Sequence, residues 1–516
     1  MKKSYLLILL GSVCLHLFAF EFSGDPKFWS KEDFVGFDPV GDCESEFGDI
    51  SSVFTLVENN KLFLRITFND MYSRSMRADN FMNQNIQAKL IIMNQGTRLF
   101  DGIFDINEIL KDEQSFSFLR TPEHNLLELE IDWPGQHSRE NLIFNIQIIH
   151  NQKVVDNFYS DGSHNYRGGN AAFVHHGNQG LTYSEVFYGQ DPLESSGFDE
   201  ILEVHEQTGI PGNFHLSGTL MPAAEWHNPE FNDWLELGVV DGYVSMLTSA
   251  LGQHMMPFVQ NDMNDWSVSI ETDMVEYHYG YTPKVAWIPE RVWLSPGVYP
   301  DAGVIDWLGD NWEQHGVEAV ILDDYIHCPG ADNKKIHYMN NNDGINLRVI
   351  PIDNDFVGMV HYDADVAKNH ISSTGQYGIT VYGTDWEVAA EMNEHSGTSF
   401  LDNYESIMWY CYDNYPAINI WKLDAALYNS DFNGTGIEIQ NGTYGMLGGL
   451  DGYGGNNNSW YTNWASTISH SDFHNPQWNY GTVWNDAYSN LMSAPNNSLS
   501  QLGWYTLMIN LHETGW

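Results

Sequence analysis

Residues 303–325 read "GVIDWLGDNWEQHGVEAVILDDY". Val304, Leu308 and Trp312 fall on one face of a helix, and Gly316 follows as its C-cap, since glycine enters the left-handed region without a Cβ clash. The apolar run inside "VEAVILDDY" then reads as a strand buried on both faces, the texture of a parallel sheet. A helix handed directly to such a strand sets the fold class as α/β.

The same handover occurs upstream. "AAFVHH" (171–176) is a short apolar strand ending in polar residues. In "GFDEILEVHEQTG" (197–209), Phe198, Ile201, Leu202 and His205 share a helical face closed by Gly209, and "PGNFHLSG" (211–218) is the next strand. This alternation predicts a parallel sheet, open or closed into a barrel. Residues 421–516 are rich in Asn, Gly, Trp and Tyr, with a helical-looking end at Trp516 that suggests a longer natural protein.

The N-terminal third has another rhythm. "SVFTLVENNKLFLRITFND", "NLLELEIDW" and "NLIFNIQIIH" are short runs between turn signals, as in an antiparallel β-sandwich over residues 21–166. "FDPVGDCESEFGDI" resembles the opening of β-sandwich modules that accompany sugar-acting enzymes, so this region is expected to be an accessory domain, either carbohydrate-binding or plainly structural. "SDGSHNYRGGN" (160–170) reads as the linker to the second domain, 171–516. Residues 1–20, with Lys2 and Lys3 before an apolar run and Ala19 near its end, read as a secretory signal peptide. A secreted or periplasmic, soluble protein is therefore expected, with no membrane span.

Acidic residues outnumber basic ones 69 to 22. Binding to a nucleic-acid backbone or an anionic membrane needs clustered Lys and Arg, so both partners are excluded. Outside the leader the cysteines are Cys43, Cys328 and Cys411, an odd number at long spacing. That pattern supports neither a disulfide framework nor a zinc knuckle. No metal and no cofactor are expected, and the oligomeric state is open.

Four apolar runs end in polar groups. "AAFV" leads to His175 and His176, "VAWI" to Glu290 and Arg291, "AVIL" to Asp323 and Asp324, and "GITVYG" to Asp385 and Glu387. In parallel α/β folds the C-terminal strand ends and the loops after them carry the active site. There is no GxSxG elbow, no phosphate loop and no tight zinc-ligand spacing. Carboxylates in an aromatic cleft suit glycoside hydrolysis, where one attacks the anomeric carbon and another protonates the leaving oxygen. Glu290, with Arg291 expected to keep it ionised, is the nucleophile of this reading, and Asp385 is the acid/base. Asp385 also stands where an N-cap would for the helix beginning "WEVAAEM".

These stretches resemble glycoside hydrolase family 57, the retaining α-glucan-acting enzymes with an incomplete (β/α)7 barrel. "AWIPERVWLSP" with "HGVEAVILDDY" resembles the nucleophile motif and its downstream strand, and "VYGTDWE" the acid/base motif. "FVHHGNQG" and "NFHLSGTL" are similar to the first two motifs, and "INLHETGW" to the last. The first motif departs from the family in lacking its proline, and the last reads Glu-Thr-Gly-Trp in place of Ser-Asp-Trp. The resemblance implies Glu290 as nucleophile, Asp385 as acid/base and an α-glucan (starch, maltooligosaccharide or pullulan) as substrate. Candidate substrate contacts are His175, His176, His215, His254, Trp287, Arg291, Trp293, Asp324 and Trp386, of which the histidines and tryptophans have core packing as their alternative. Two competing readings are a non-catalytic sugar-binding protein that keeps the fold and a metal-dependent polysaccharide deacetylase.

Overall fold

The computed structural model describes residues 25–45, 48–69, 85–105, 110–113, 116–121, 125–133, 139–160, 168–178, 186–189, 196–254, 256, 261–293, 312, 315–340, 347–392 and 395–443. The expected leader, most of the linker, the helix before Gly316 except at Trp312 and His315, and the final "INLHETGW" lie outside them.

The architecture is mixed α/β. The N-terminal part holds β1 (Phe34–Phe37), β2 (Ile50–Glu58), β3 (Lys61–Phe68), β4 (Ile86–Asn94), β5 (Thr97–Asp105), β6 (Leu110–Glu113), β7 (Phe116–Thr121), β8 (Leu126–Asp132), β9 (Leu142–His150) and β10 (Lys153–Tyr159). They form two antiparallel sheets, ordered β1-β2-β3-β8-β7-β6 and β10-β9-β4-β5. Both contribute to one apolar core, with Val53, Leu64, Ile66 and Leu129 from the first and Leu90, Ile92, Phe144 and Ile146 from the second. β4 and β9 bury alternate residues, as strands with one wet face must.

β2 and β3 depart from the alternation expected of them: six and seven consecutive residues are buried. The reason is a second contact layer. Trp29, Phe34, Phe54 and Phe63 pack with Ala417, beyond the six-stranded sheet. Arg65, fully buried, donates to the Tyr415 carbonyl at 3.0 Å and lies over the Phe54 ring. The Ser52 hydroxyl bonds the Asn414 side chain. Val40 and Asn369 exchange two hydrogen bonds of 2.8 and 2.9 Å.

The second part carries β11 (Gly169–Gly177), β12 (Gly212–Leu216), β13 (Val244–Met246), β14 (Val285–Trp287), β15 (Ala319–Asp323), β16 (Ile336–Met339), β17 (Arg348–Ile352), β18 (Thr380–Asp385), β19 (Ile418–Ile420) and β20 (Asn433–Ile437). The main helices between and after them are α1 (Asp199–Thr208), α2 (Leu220–His227), α3 (Pro229–Asp241), α4 (Asn261–Tyr279), α5 (Asp324–His327), α6 (Asn354–Tyr362), α7 (Ala364–Ser373), α8 (Trp386–Ala389) and α9 (Phe400–Asp413). α1 is the helix expected from its spacing, and Gly209 ends it at φ +65° with its N–H on the His205 carbonyl. Among the described residues no helix is long and apolar enough to cross a membrane.

Two parallel arrays result, β13-β12-β11-β18 and β14-β15-β17. They meet along two seams. At one, Thr248 and Ala286 form a parallel bridge, and at the other the Asp353 N–H donates to the Val381 carbonyl at 2.9 Å. Gly383 permits the second approach, because a Cβ there would sit 2.9 Å from the Ile352 side chain. Seven strands thus follow one another in chain order around a shared apolar interior of Ala172, Val174, Trp287, Ile321, Ile350 and Val381. The opposite strand faces, with Phe173, Phe214 and Tyr382, pack under the helices.

Candidate active site

The twofold period of a strand decides which polar residue at each strand end reaches the interior. On β11, Ala172 and Val174 face inward, so His176 does too and His175 faces the helices. On β15, Ala319 and Ile321 face inward, which selects Asp323 over Asp324. On β18, Val381 selects Gly383 and Asp385. Parallel register then aligns His215, His176 and Asp385 across β12, β11 and β18.

The β14 loop brings the fourth group. Pro289 closes the strand, and Glu290 and Arg291 both adopt left-handed backbone, at φ +52° and +47°. Two consecutive residues with a Cβ in that region store strain, which persists only where the surroundings hold it. The Arg291 N–H bonds the Ile288 carbonyl at 2.8 Å, and the Thr443 hydroxyl donates to the Glu290 carbonyl at 2.8 Å.

Arg291 does not act as expected. Its Nε lies 3.0 Å from Asp323 Oδ2, and its guanidinium sits 5.1 Å from the centre of the Trp287 ring. Its field favours an ionised Glu290, but burial outweighs it and the negative charge of Asp385 adds to burial, so Glu290 is pushed up to about 8. Asp385 is raised by burial against the opposing pull of Arg291 and His395. Glu387 is raised further, by burial and then by the Asp385 charge. Burial and mutual repulsion thus push Glu290, Asp385 and Glu387 toward their neutral forms. Asp385 occupies the N-cap position of α8 but makes no side-chain cap bond, which leaves its carboxyl to the site.

The other candidates divide. His176 is stacked on Trp287, ring centres 4.7 Å apart, and its Nδ1 is 2.9 Å from His215 Nδ1. His175 belongs to the outer core: its Nε2 is 2.8 Å from the Tyr404 hydroxyl, which also meets His205 Nε2 at 2.6 Å. His254 is buried with Nε2 2.6 Å from Asn264 Oδ1. Trp386 is fully buried and stacks on Phe198 at 4.5 Å, so it packs the helix layer rather than offering a platform. Trp293 is equally buried and pairs through its backbone with Gly442, while Trp287 floors the site beneath His176 and Arg291. Asp324 is turned away: its carboxylate accepts from Asn354 at 2.8 Å and Asn333 at 2.9 Å.

Asp323 and Glu387 stood at the strand ends named from the sequence but were not among the candidate catalytic or substrate-contacting residues, and Glu271 was not named. Asp323 was recoverable from alternation. Glu271 was not, since it reaches His215 from α4, 56 residues away. Apart from this site, the carboxylate oxygens of Asp38, Asp42 and Asp156 lie within 4.8 Å of one another, and burial followed by repulsion from Asp156 pushes Asp38 up to about 8.

The model of glycosyl hydrolase family 57 matches residues 113–414, more than half of the chain. Over 146 residues the chain is 23% identical to alpha-amylase 1 of Dictyoglomus thermophilum, a match covering 28% of this chain and only 20% of that protein. In structure it is similar to a family 57 branching enzyme from Thermococcus kodakaraensis, with a TM-score of 0.50 and 13% identity over 67% of this chain and 84% of that one. A 4-alpha-glucanotransferase from Thermococcus litoralis aligns with a TM-score of 0.46 and 18% identity, over 55% of this chain and 43% of that one. The structural likenesses concern fold alone. With the family model spanning both the Glu290 loop and the Asp385 strand end, the chain belongs to glycosyl hydrolase family 57.

Proposed function

We propose that this chain is a retaining glycosidase or transglycosylase acting on α-glucans of the starch, maltooligosaccharide or pullulan type, with Glu290 as nucleophile and Asp385 as general acid/base. The observation that carries the reading is the placement of Asp385 and of the Glu290 loop at the C-terminal ends of the seven parallel strands, which we read as an incomplete (β/α)7 barrel. Glu290 holds its proton before substrate arrives because its charge is buried beside another acid. Its proton passes to solvent as substrate binds, and the oxocarbenium-like centre then forming between the two carboxyls supplies the positive charge that favours the Glu290 carboxylate. Asp385, whose carboxyl is raised by burial, donates to the leaving oxygen and later takes a proton from the incoming water or sugar hydroxyl. Arg291, held on Asp323, fixes the sum of charge in the site.

The two N-terminal sheets are read as a β-sandwich module over residues 21–166 with a carbohydrate-facing role, residues 171–516 as the catalytic part, and residues 1–20 as an export signal. The deacetylase alternative gains no support: His175 faces the helices and the Nδ1 of His176 is engaged with the Nδ1 of His215, so the adjacent histidines do not converge on one ion. The test is incubation with starch, pullulan and maltooligosaccharides followed by product analysis, with Glu290→Gln alongside. Turnover lost in that variant supports the reading. Glucan binding without turnover in the unaltered protein refutes it and favours the sugar-binding alternative.

A further inference from the structure

We propose that Glu271 is a positioning residue of this site, acting through His215 to make His176 present its Nε2–H as a hydrogen-bond donor to the oxygen atoms of a bound sugar. The inference rests on reading the strand-end site as glycan-binding. Its physical basis is a buried chain of three side chains. Glu271 Oε1 lies 2.5 Å from His215 Nε2, with no solvent exposure on either side chain. The other Glu271 oxygen meets only a neutral amide in this contact, Gln253 Nε2 at 3.5 Å. His215 Nδ1 then faces His176 Nδ1 at 2.9 Å, the rings stacked 4.8 Å apart. His176 is the inward residue beside Asp385.

Two facing nitrogens form a hydrogen bond only if one of them carries the proton, and charge decides which. An uncompensated charge is costly to bury, so Glu271 and His215, both fully buried, favour a net-neutral arrangement. There are two such arrangements. A carboxylate may pair with an imidazolium, whose Nδ1–H is present by definition. Alternatively a protonated Glu271 donates to His215 Nε2, and neutral His215 then carries its proton on Nδ1. Both send the proton in the same direction, from His215 Nδ1 to His176 Nδ1. His176 is kept neutral, by burial first and then by the charges of His215 and Arg291. With Nδ1 accepting, its one proton must stand on Nε2. The opposite polarity requires a Glu271 carboxylate accepting from Nε2–H of a neutral His215, which leaves a net negative charge buried.

The test is a long-range 1H–15N imidazole spectrum of the full chain, with His176→Gln used to assign the His176 signals. The expected pattern is a protonated Nε2 and a bare Nδ1 at His176, with that pattern lost in Glu271→Met. For maltooligosaccharides, Glu271→Met is expected to raise KM about tenfold, the size of one lost hydrogen bond, while kcat changes much less. A bare Nε2 in the unaltered protein, or a His176 spectrum unchanged by Glu271→Met, overturns the proposal. If Glu271→Met does not fold, His215→Leu cuts the same chain and is expected to lose the pattern. The tautomer is read without turnover, so absence of glycosidase activity would refute the functional reading and leave this result intact.

Discussion

Glu290→Gln should make the folded protein more stable at alkaline pH while removing its activity. An ordinary glutamate titrates near 4.5, and Glu290 is pushed to about 8 by burial and by Asp385. Below 4.5 the folded and unfolded chains both hold the proton, so the ionisation has no effect on stability. Between 4.5 and 8 the unfolded chain releases it and the folded chain does not, so stability falls as pH rises through that window. At about 1.4 kcal/mol per pH unit the gap corresponds to at most about 5 kcal/mol, and partial solvent contact of the side chain brings the expected effect to about 2–3 kcal/mol. Glutamine keeps the shape and cannot ionise. Urea unfolding at pH 4 and pH 9, followed by tryptophan fluorescence, should show the variant matching the unaltered protein at pH 4 and exceeding it at pH 9. Equal stability loss with pH in both proteins would refute the claim that Glu290 is a buried, destabilising acid.

Three further outcomes are expected. Asp385→Asn should lower kcat by about 10²–10⁴ on substrates with poor leaving groups, measured by reducing-sugar release, because general acid assistance is gone. Arg291→Met should destabilise the protein by about 3–5 kcal/mol in the same urea assay, since it leaves Asp323 buried without its ion-pair partner at 3.0 Å. Arg65→Met should cost a similar amount, by stranding Glu128 and Asp413 between the first sheet and the end of α9, yet leave the pH profile of turnover unchanged.

The α/β class and the strand-end location of the site were legible because they depend on local patterns. The helix over Asp199–Thr208 announced its own face and its Gly209 stop, and the strand over Ala319–Asp323 announced its burial. What a fully apolar strand hides is which side faces inward, because both faces look alike in sequence. For that reason Asp324 was preferred to Asp323, and His175 could not be told from His176. The same limit applies to β2 and β3, whose second face is covered by Ala417 and its neighbours from the far end of the chain. Arg291 was expected to keep Glu290 ionised because the two are adjacent; its charge acts in that direction, but burial and Asp385 outweigh it while the guanidinium is held on Asp323. Long-range contacts such as Glu271 with His215 leave no periodic trace at all.

The central claim is that Glu290 forms a covalent bond to sugar in a retaining reaction. The direct measurement is peptide mass spectrometry after incubation with a fluorinated α-glucosyl fluoride that accumulates the glycosyl-enzyme. One added sugar is expected on the peptide carrying Glu290, absent in Glu290→Gln, with products of retained anomeric configuration. A sugar on another carboxylate, or turnover with inversion and no covalent adduct, would contradict it.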